Sequence, residues 1–246
     1  NKTMVAGGAA AHALIVPAHI GAERLGLFLV ATDAAGLQLS RASLYDGQRI
    51  ADLRFDHVMA GDPLFEGPRT DIAKLLRGAM DHAIVADCAQ AVGTMQAAFD
   101  ITLDYTRTRK QFGQAIAANQ VVQHRLVDLY VEIAQARALT GAAADMLDME
   151  PSPTSTRRRR LVAAARACVA LACKQVWQES VQLHGAIGMT QEYVLEPFVK
   201  RLALACVWHG SAESQLEQLA AASLDALQAL INDGKPPHPS AQETAA

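Results

Sequence analysis

A chain of 246 residues, 51% hydrophobic and 19% charged, is long enough to bury one core or two. A formal charge of −3, spread along the chain, leaves no broad basic face for nucleic acid. No apolar run is long enough to span a bilayer or to read as a signal peptide.

From the start to about Gly67, short apolar runs alternate with turn signals. Residues 13–16, 27–31 and 50–55 are predicted strands, with breaks at Gly21, Gly26, Gly36 and Asp46-Gly47, in a small sheet or part of a barrel. After Gly67 and Pro68 the period becomes helical. Val85, Cys88, Val92, Met95, Phe99 and Leu103 form one stripe, and Val122, Leu126, Leu129, Ile133 and Ala136 a second. Leu161, Ala164, Cys168, Leu171 and Val176 suggest a third, and Leu216, Leu219, Ser223, Leu227 and Leu230 a later one. Strands followed by helices make an α+β chain. Residues 1–67 are expected to form the sheet domain, 68–231 a helical bundle and 232–246 a disordered tail.

Arg157, Arg158, Arg159 and Arg160 follow a Pro/Ser/Thr stretch and read as a solvated helix N-terminus capped by Ser155 or Thr156. A phosphate-bearing ligand is the alternative, because four cations there oppose the helix dipole. Cys88, Cys168, Cys173 and Cys206 lie in apolar helical patterns without CxxC or Cys/His zinc spacing. They read as core thiols of a protein in a reducing cytoplasm. His12, His19, His57, His82, His124, His184 and His238 show no metal spacing, and His124 and His184 are read as helix-packing or hydrogen-bonding residues. Glu213 is read as a first-turn helix carboxylate.

Two segments exceed generic helix. The first, YTRTRKQFG over 105–113, is followed by NQVVQH over 119–124; the second is VQLHGAIGMT over 181–190, then Glu192 and Tyr193. Taken alone, the first is a basic helix end broken by Gly113, with Phe112 packing under the loop. The second holds a G-x-x-G turn, where backbone N–H groups approach a ligand closely.

In this order, after a strand region, the two segments resemble the acyl-CoA dehydrogenase family, flavoenzymes that desaturate acyl-CoA thioesters. The matching residues are Tyr105, Arg109, Phe112, Gly113 and Gln120, then Gln182, Gly185 and Gly188, then Gly210 and Ser211. The resemblance spans residues 1–231. It implies the family's middle β domain, incomplete at its start, and its C-terminal helical bundle, with no counterpart of the N-terminal helical domain. The spelling is most similar to bacterial members acting on bulky acyl-CoA, including steroid side chains.

The resemblance further implies FAD contacts made across a subunit interface. Arg109 would pair with the pyrophosphate, Phe112 would offer an apolar face, and Gln111 and Gln120 would flank them. Gln182, Gly185, Ala186 and Gly188 would line the phosphate-to-adenine portion, with Ala186 replacing the family's second glycine. The flavin-ring strand Lys-x-Trp-Ile-Thr-Asn-Gly is replaced by Lys2-Thr3-Met4-Val5-Ala6-Gly7-Gly8, and Ala6 has no hydroxyl to offer. In the family's Tyr-Glu-Gly-Thr turn the glutamate is the catalytic base, and here His209 stands in its place. The alternative glutamate position falls at Ala83, and neither Asp81, His82 nor Asp87 aligns with it.

The expectation is a subunit of an FAD-dependent acyl-CoA dehydrogenase that lacks its own glutamate and completes the FAD site of a homologous partner, as a heterotetramer with two copies of each subunit. The alternatives are a self-sufficient flavoenzyme using His209 as its base, and a non-enzymatic scaffold on the same fold.

Overall fold

The structure is a computed structural model and describes residues 1–232; the expected tail over 233–246, with His238, lies outside the described residues. The chain divides into two compact units, Asn1–Ala79 and a second beginning at Met80.

The first unit holds six strands: β1 (Lys2–Ala6), β2 (Ala13–Ile20), β3 (Arg24–Ala31), β4 (Leu37–Ser43), β5 (Arg49–Phe55) and β6 (Phe65–Pro68). They form two antiparallel three-stranded sheets, ordered β1-β5-β4 and β2-β3-β6, which do not close into a barrel. Leu27 and Val30 are buried in one sheet and Ile50, Ala51 and Leu53 in the other. The β1–β5 register shifts between Lys2 and Val5, where Met4 takes a left-handed φ of 53° and its N–H donates to Asp52 Oδ1 at 2.7 Å. This bulge turns the strand locally and leaves the Met4 side chain exposed.

The strand-to-helix change falls at Pro68 and Arg69. Helix α1 (Arg69–Thr108) is followed by a short hairpin of β7 (Lys110–Gln111) and β8 (Gln114–Ala115). Then come α2 (Gln120–Met149), α3 (Thr156–His184), α4 (Glu196–Ala205) and α5 (Ala212–Asn232). The first two stripes form the core: Cys88, Val92, Met95 and Phe99 from α1 pack with Leu126, Leu129, Ile133 and Ala136 from α2 and with Val169, Ala172, Cys173 and Val176 from α3. Each fully buried Leu, Ile or Met there contributes about 1.5–3 kcal/mol.

The third stripe holds at Leu161, Cys168 and Val176, which pack against the core, but fails at Leu171, and the fourth is corrected. Helix α3 packs against α2, α4 and α5, so it is buried on most of its circumference. Its Ala163, Ala165, Ala167, Ala170 and Ala172 are buried, while Leu171 is exposed. In α5, Ala212, Gln215 and Ala222 are buried, whereas Leu216 and Leu227 face outward. Small residues line this inner face, and they allow close helix–helix approach without any bulky apolar periodicity.

The arginine run is corrected too. Ser155 is the N-cap of α3 and accepts a hydrogen bond from the Arg158 N–H, while its hydroxyl donates to Glu150. Arg157 and Arg160 are solvated, but Arg158 is only 1% exposed. Its Nε donates to Asp81 Oδ2 at 2.9 Å, and its Nη1 donates to the carbonyls of Glu150 and Pro151 at 3.3 and 3.1 Å. Burying a guanidinium is tolerated only with such partners. Asp81→Ala is therefore expected to destabilise the chain by about 3 kcal/mol or more, whereas Asp81→Leu with Arg158→Met should recover most of that loss. Urea unfolding of the three proteins checks both halves.

Candidate functional site

Helix α1 ends at Thr108, and the chain reverses through a two-residue hairpin turn. Gln111 pairs with Gln114, and Phe112 (φ 52°) and Gly113 (φ 84°) occupy the two left-handed positions that such a turn demands. Glycine meets that demand freely; phenylalanine at positive φ is strained. Phe112 does not pack under the loop: it is fully exposed, Arg109 and Gln111 are also exposed, and no protein group partners the Arg109 guanidinium among the described residues. Gln120 opens α2 and is also exposed. A bulky aromatic ring held outward in a strained turn, beside a free guanidinium, has no folding role in the chain itself.

The second segment closes α3. Gln182 is exposed on its last turn, and Gly185–Met189 forms a 3-10 turn with Gly185 and Ala186 exposed and Gly188 buried. Gly188 is required by close approach: a Cβ there would lie 2.9 Å from His184 Cβ and 3.1 Å from the Val181 carbonyl. The two segments meet through side chains. The Tyr105 hydroxyl donates to the His184 carbonyl at 3.2 Å, and the two rings stack with centroids 4.3 Å apart. His184 is buried, as expected for a packing residue, but His124 is exposed.

His209 lies in the turn between α4 and α5, and four hydrogen bonds set that turn. Arg166, buried in the middle of α3, donates from Nη2 to the carbonyls of Ala205 and Gly210 at 2.8 and 3.1 Å. Gln215 Nε2 donates to the His209 carbonyl at 2.8 Å. The imidazole Nε2 itself meets Asp87 Oδ2 at 2.5 Å, with the histidine side chain 14% and the aspartate 47% exposed. Sequence reasoning missed Arg166 altogether and set Asp87 aside because it does not align with the alternative carboxylate position. The available signal was its helical offset, one turn beyond Ala83 on the same helix.

Asp87 and Tyr105 are both on α1, 18 residues apart, which is about 27 Å along the helix axis. The His209 position and the Arg109–Gln182 cluster are thus two separate places in the second unit. No group of three or more metal-ligating side chains occurs among the described residues. The thiols are unpaired, and burial pushes Cys88 up to about 11, which keeps it protonated and unreactive. Glu213 sits in the first turn of α5, its carboxyl held below the usual range by the Ser211 hydroxyl.

Residues 73–224 match the family profile described as acyl-CoA dehydrogenase, C-terminal domain. The chain is 35% identical over 136 residues to acyl-CoA dehydrogenase IpdE2 of Mycobacterium tuberculosis, covering 55% of this chain and 38% of that protein. It is 30% identical over 229 residues to the probable acyl-CoA dehydrogenase YngJ of Bacillus subtilis, covering 87% and 57%. It also superposes on the solved structure of the Tcur3481-Tcur3483 steroid ACAD G363A variant with a TM-score of 0.79 and 26% identity, over 92% of this chain and 59% of that one. The chain therefore spans between 38% and 57% of the length of these curated relatives.

The His209–Asp87 contact makes a simple exchange unfavourable. His209→Glu would set two carboxylates against each other, and is expected to cost about 1–2 kcal/mol after solvent screening at the half-exposed Asp87. Adding Asp87→Asn should restore most of the loss. Thermal melts of the single and double variants test this, and equal melting points for wild type and His209→Glu would disprove it.

Proposed function

The chain belongs to the acyl-CoA dehydrogenase family, and from that membership we propose that it is one subunit of an FAD-dependent acyl-CoA dehydrogenase whose exposed hairpin completes the FAD site of a homologous partner subunit. The observation that carries this reading is Phe112, held fully exposed in a strained turn beside the free Arg109 guanidinium. Such an arrangement gains its contacts only when another molecule covers it.

The donor set suits the pyrophosphate and adenosine end of FAD. Arg109 offers a planar, permanently charged fork for phosphate oxygens, and Phe112 a ring face. Gln111, Gln120 and Gln182 offer side-chain amides, while Gly185, Ala186 and Gly188 place backbone beside them with little side chain in the way. The ring end fits poorly: Met4 replaces the family's tryptophan and Ala6 has no hydroxyl. Bound FAD supplies the hydride acceptor for α,β-desaturation of an acyl-CoA thioester.

Removing the substrate's α-proton needs a base, and in this reading the partner's carboxylate supplies it, because His209 Nε2 is already committed to Asp87. The rise of about 27 Å along α1 from Asp87, which His209 meets, to Tyr105 at the hairpin end supports assigning the hairpin residues to a different active site from the chain's own. The description of one solved neighbour as a steroid ACAD supports a bulky acyl-CoA substrate, and a heteromer with two copies of each subunit is part of the same proposal. Unpaired cysteines support a cytoplasmic setting, and no helix among the described residues is long and apolar enough to cross a membrane.

The expected outcome is co-purification with a homologous partner at one FAD per heterodimer. Arg109→Ala should weaken FAD retention by the complex about tenfold or more, since a charge-assisted contact contributes about 1.5–3 kcal/mol, and Phe112→Ala should weaken it through lost ring burial. The melting point of the chain alone should not change, because both side chains are exposed. Unchanged FAD content and partner activity in Arg109→Ala would favour a scaffold instead.

The His209–Asp87 pair favours one second reading. With Nε2–H donating to Asp87, Nδ1 is left as a proton acceptor and the carboxylate stabilises the imidazolium, so the chain would carry a base of its own. Stoichiometric flavin in the isolated chain, bleached by acyl-CoA and unresponsive in His209→Ala, would establish that reading and overturn the first.

A further inference from the structure

His184 occupies an unusual position between the two segments assigned above to FAD. It is 4% exposed and lies at the end of α3. Its ring stacks on Tyr105 at 4.3 Å with an interplanar angle of 25°, and Tyr193 closes over it at 5.1 Å while meeting Tyr105 edge-on at 6.2 Å. Its backbone carbonyl accepts the Tyr105 hydroxyl, and its Cβ is the atom on which Gly188 rests. The residue therefore touches the last turn of α1, four residues before Arg109, and the 3-10 turn beside Gln182.

We propose that His184 is a positioning residue whose uncharged imidazole couples the hairpin end of α1 to the 185–189 turn, so that Arg109 and Phe112 are presented together with Gln182 and the turn's backbone. The proposal rests on reading those residues as contacts to one FAD.

The ring's hydrogen bonding requires it to be neutral. Nδ1 lies 2.7 Å from the Ser180 carbonyl and so carries the proton. Nε2 is then a bare lone pair, buried and without a partner. A second proton would place an N–H and a full charge where neither water nor a protein acceptor meets them. The groups facing the ring are Tyr105 from α1 and Tyr193 from the segment before α4, with Ser180 on its own helix; Asp104 acts on Tyr193 and no carboxylate pairs with the imidazole. Burial accordingly holds His184 below the ordinary histidine value, against the smaller raising effect of the Ser180 carbonyl. The folded state thus binds fewer protons than the unfolded chain once pH falls below about 6.5, so the packing is complete above that value and weakens as pH drops toward the folded pKa.

Hydrogen exchange on the full chain, alone and in complex with its partner, tests the coupling. Backbone protection of residues 185–189 and of 109–115 is followed from pH 8 to pH 5, corrected for intrinsic exchange, beside FAD retention by the complex. In the wild type both segments should lose protection together on acidification, by up to about tenfold for each pH unit between about 6.5 and the folded pKa, with no further loss below it. His184→Phe keeps a stacked ring without a titrating nitrogen, and both segments should stay protected across the range. His184→Ala should leave both segments unprotected at every pH. Loss of protection at different pH values in the two segments, or an acid response in His184→Phe equal to that of the wild type, would overturn the proposal. Joint loss of protection with unchanged FAD retention would leave the coupling standing and overturn the FAD reading on which it rests.

Discussion

Three buried polar side chains along helix α3 hold the second unit in its functional shape. Arg158, in the first turn, answers Asp81 and the carbonyls of Glu150 and Pro151. Arg166, in the middle, fastens both ends of the turn that carries His209. His184, at the end, seats Tyr105 and the 3-10 turn. Polar groups inside a helical core are costly unless partnered, so each of them fixes its partner segment as strongly as that segment fixes it. The aliphatic core decides that the helices pack; these three groups decide where the connecting turns lie.

That division of labour places the functional residues. Helix α1 bears Asp87 about 27 Å from Tyr105, and α3 runs beside it with Arg166 and His184. One helix pair therefore builds two distinct places: a closed one, where the His209 imidazole meets Asp87, and an outward one, where Arg109, Gln111 and Phe112 are displayed. The closed place satisfies itself within the chain. The outward place satisfies nothing within the chain, and the strain at Phe112 makes its conformation costly without a partner.

The elements themselves were legible because their periods are local. The strands around Ile15, Leu29 and Leu53 are short apolar runs bounded by turn residues, and the stripes of α1 and α2 recur every three or four residues, as one-sided burial requires. Helix α3 is only partly legible in the same way, because a helix covered on several sides has no single stripe and many of its buried residues are alanines. The motif residues of the site were legible only as a spelling. Their resemblance to a family located Arg109, Phe112 and Gln182, while composition alone wrongly placed Phe112 under its loop.

The pairings that give the site its chemistry were not legible, for a physical reason. His209 meets Asp87 across 122 positions, and Arg166 meets Gly210 across 44. A side chain's charge and size are written in the sequence, but its partner is chosen by helix packing, which depends on many weak contacts at once. A histidine at a glutamate's place therefore has three readings: a substitute base, a lost base, or half of a histidine–carboxylate hydrogen bond. Only the geometry adds the third. Once Asp87 is beside it, the histidine is better understood as a group whose hydrogen-bonding need is met inside the chain, whereas the side chains of Arg109 and Phe112 find no partner among the described residues, which is the ground for the partner subunit we propose.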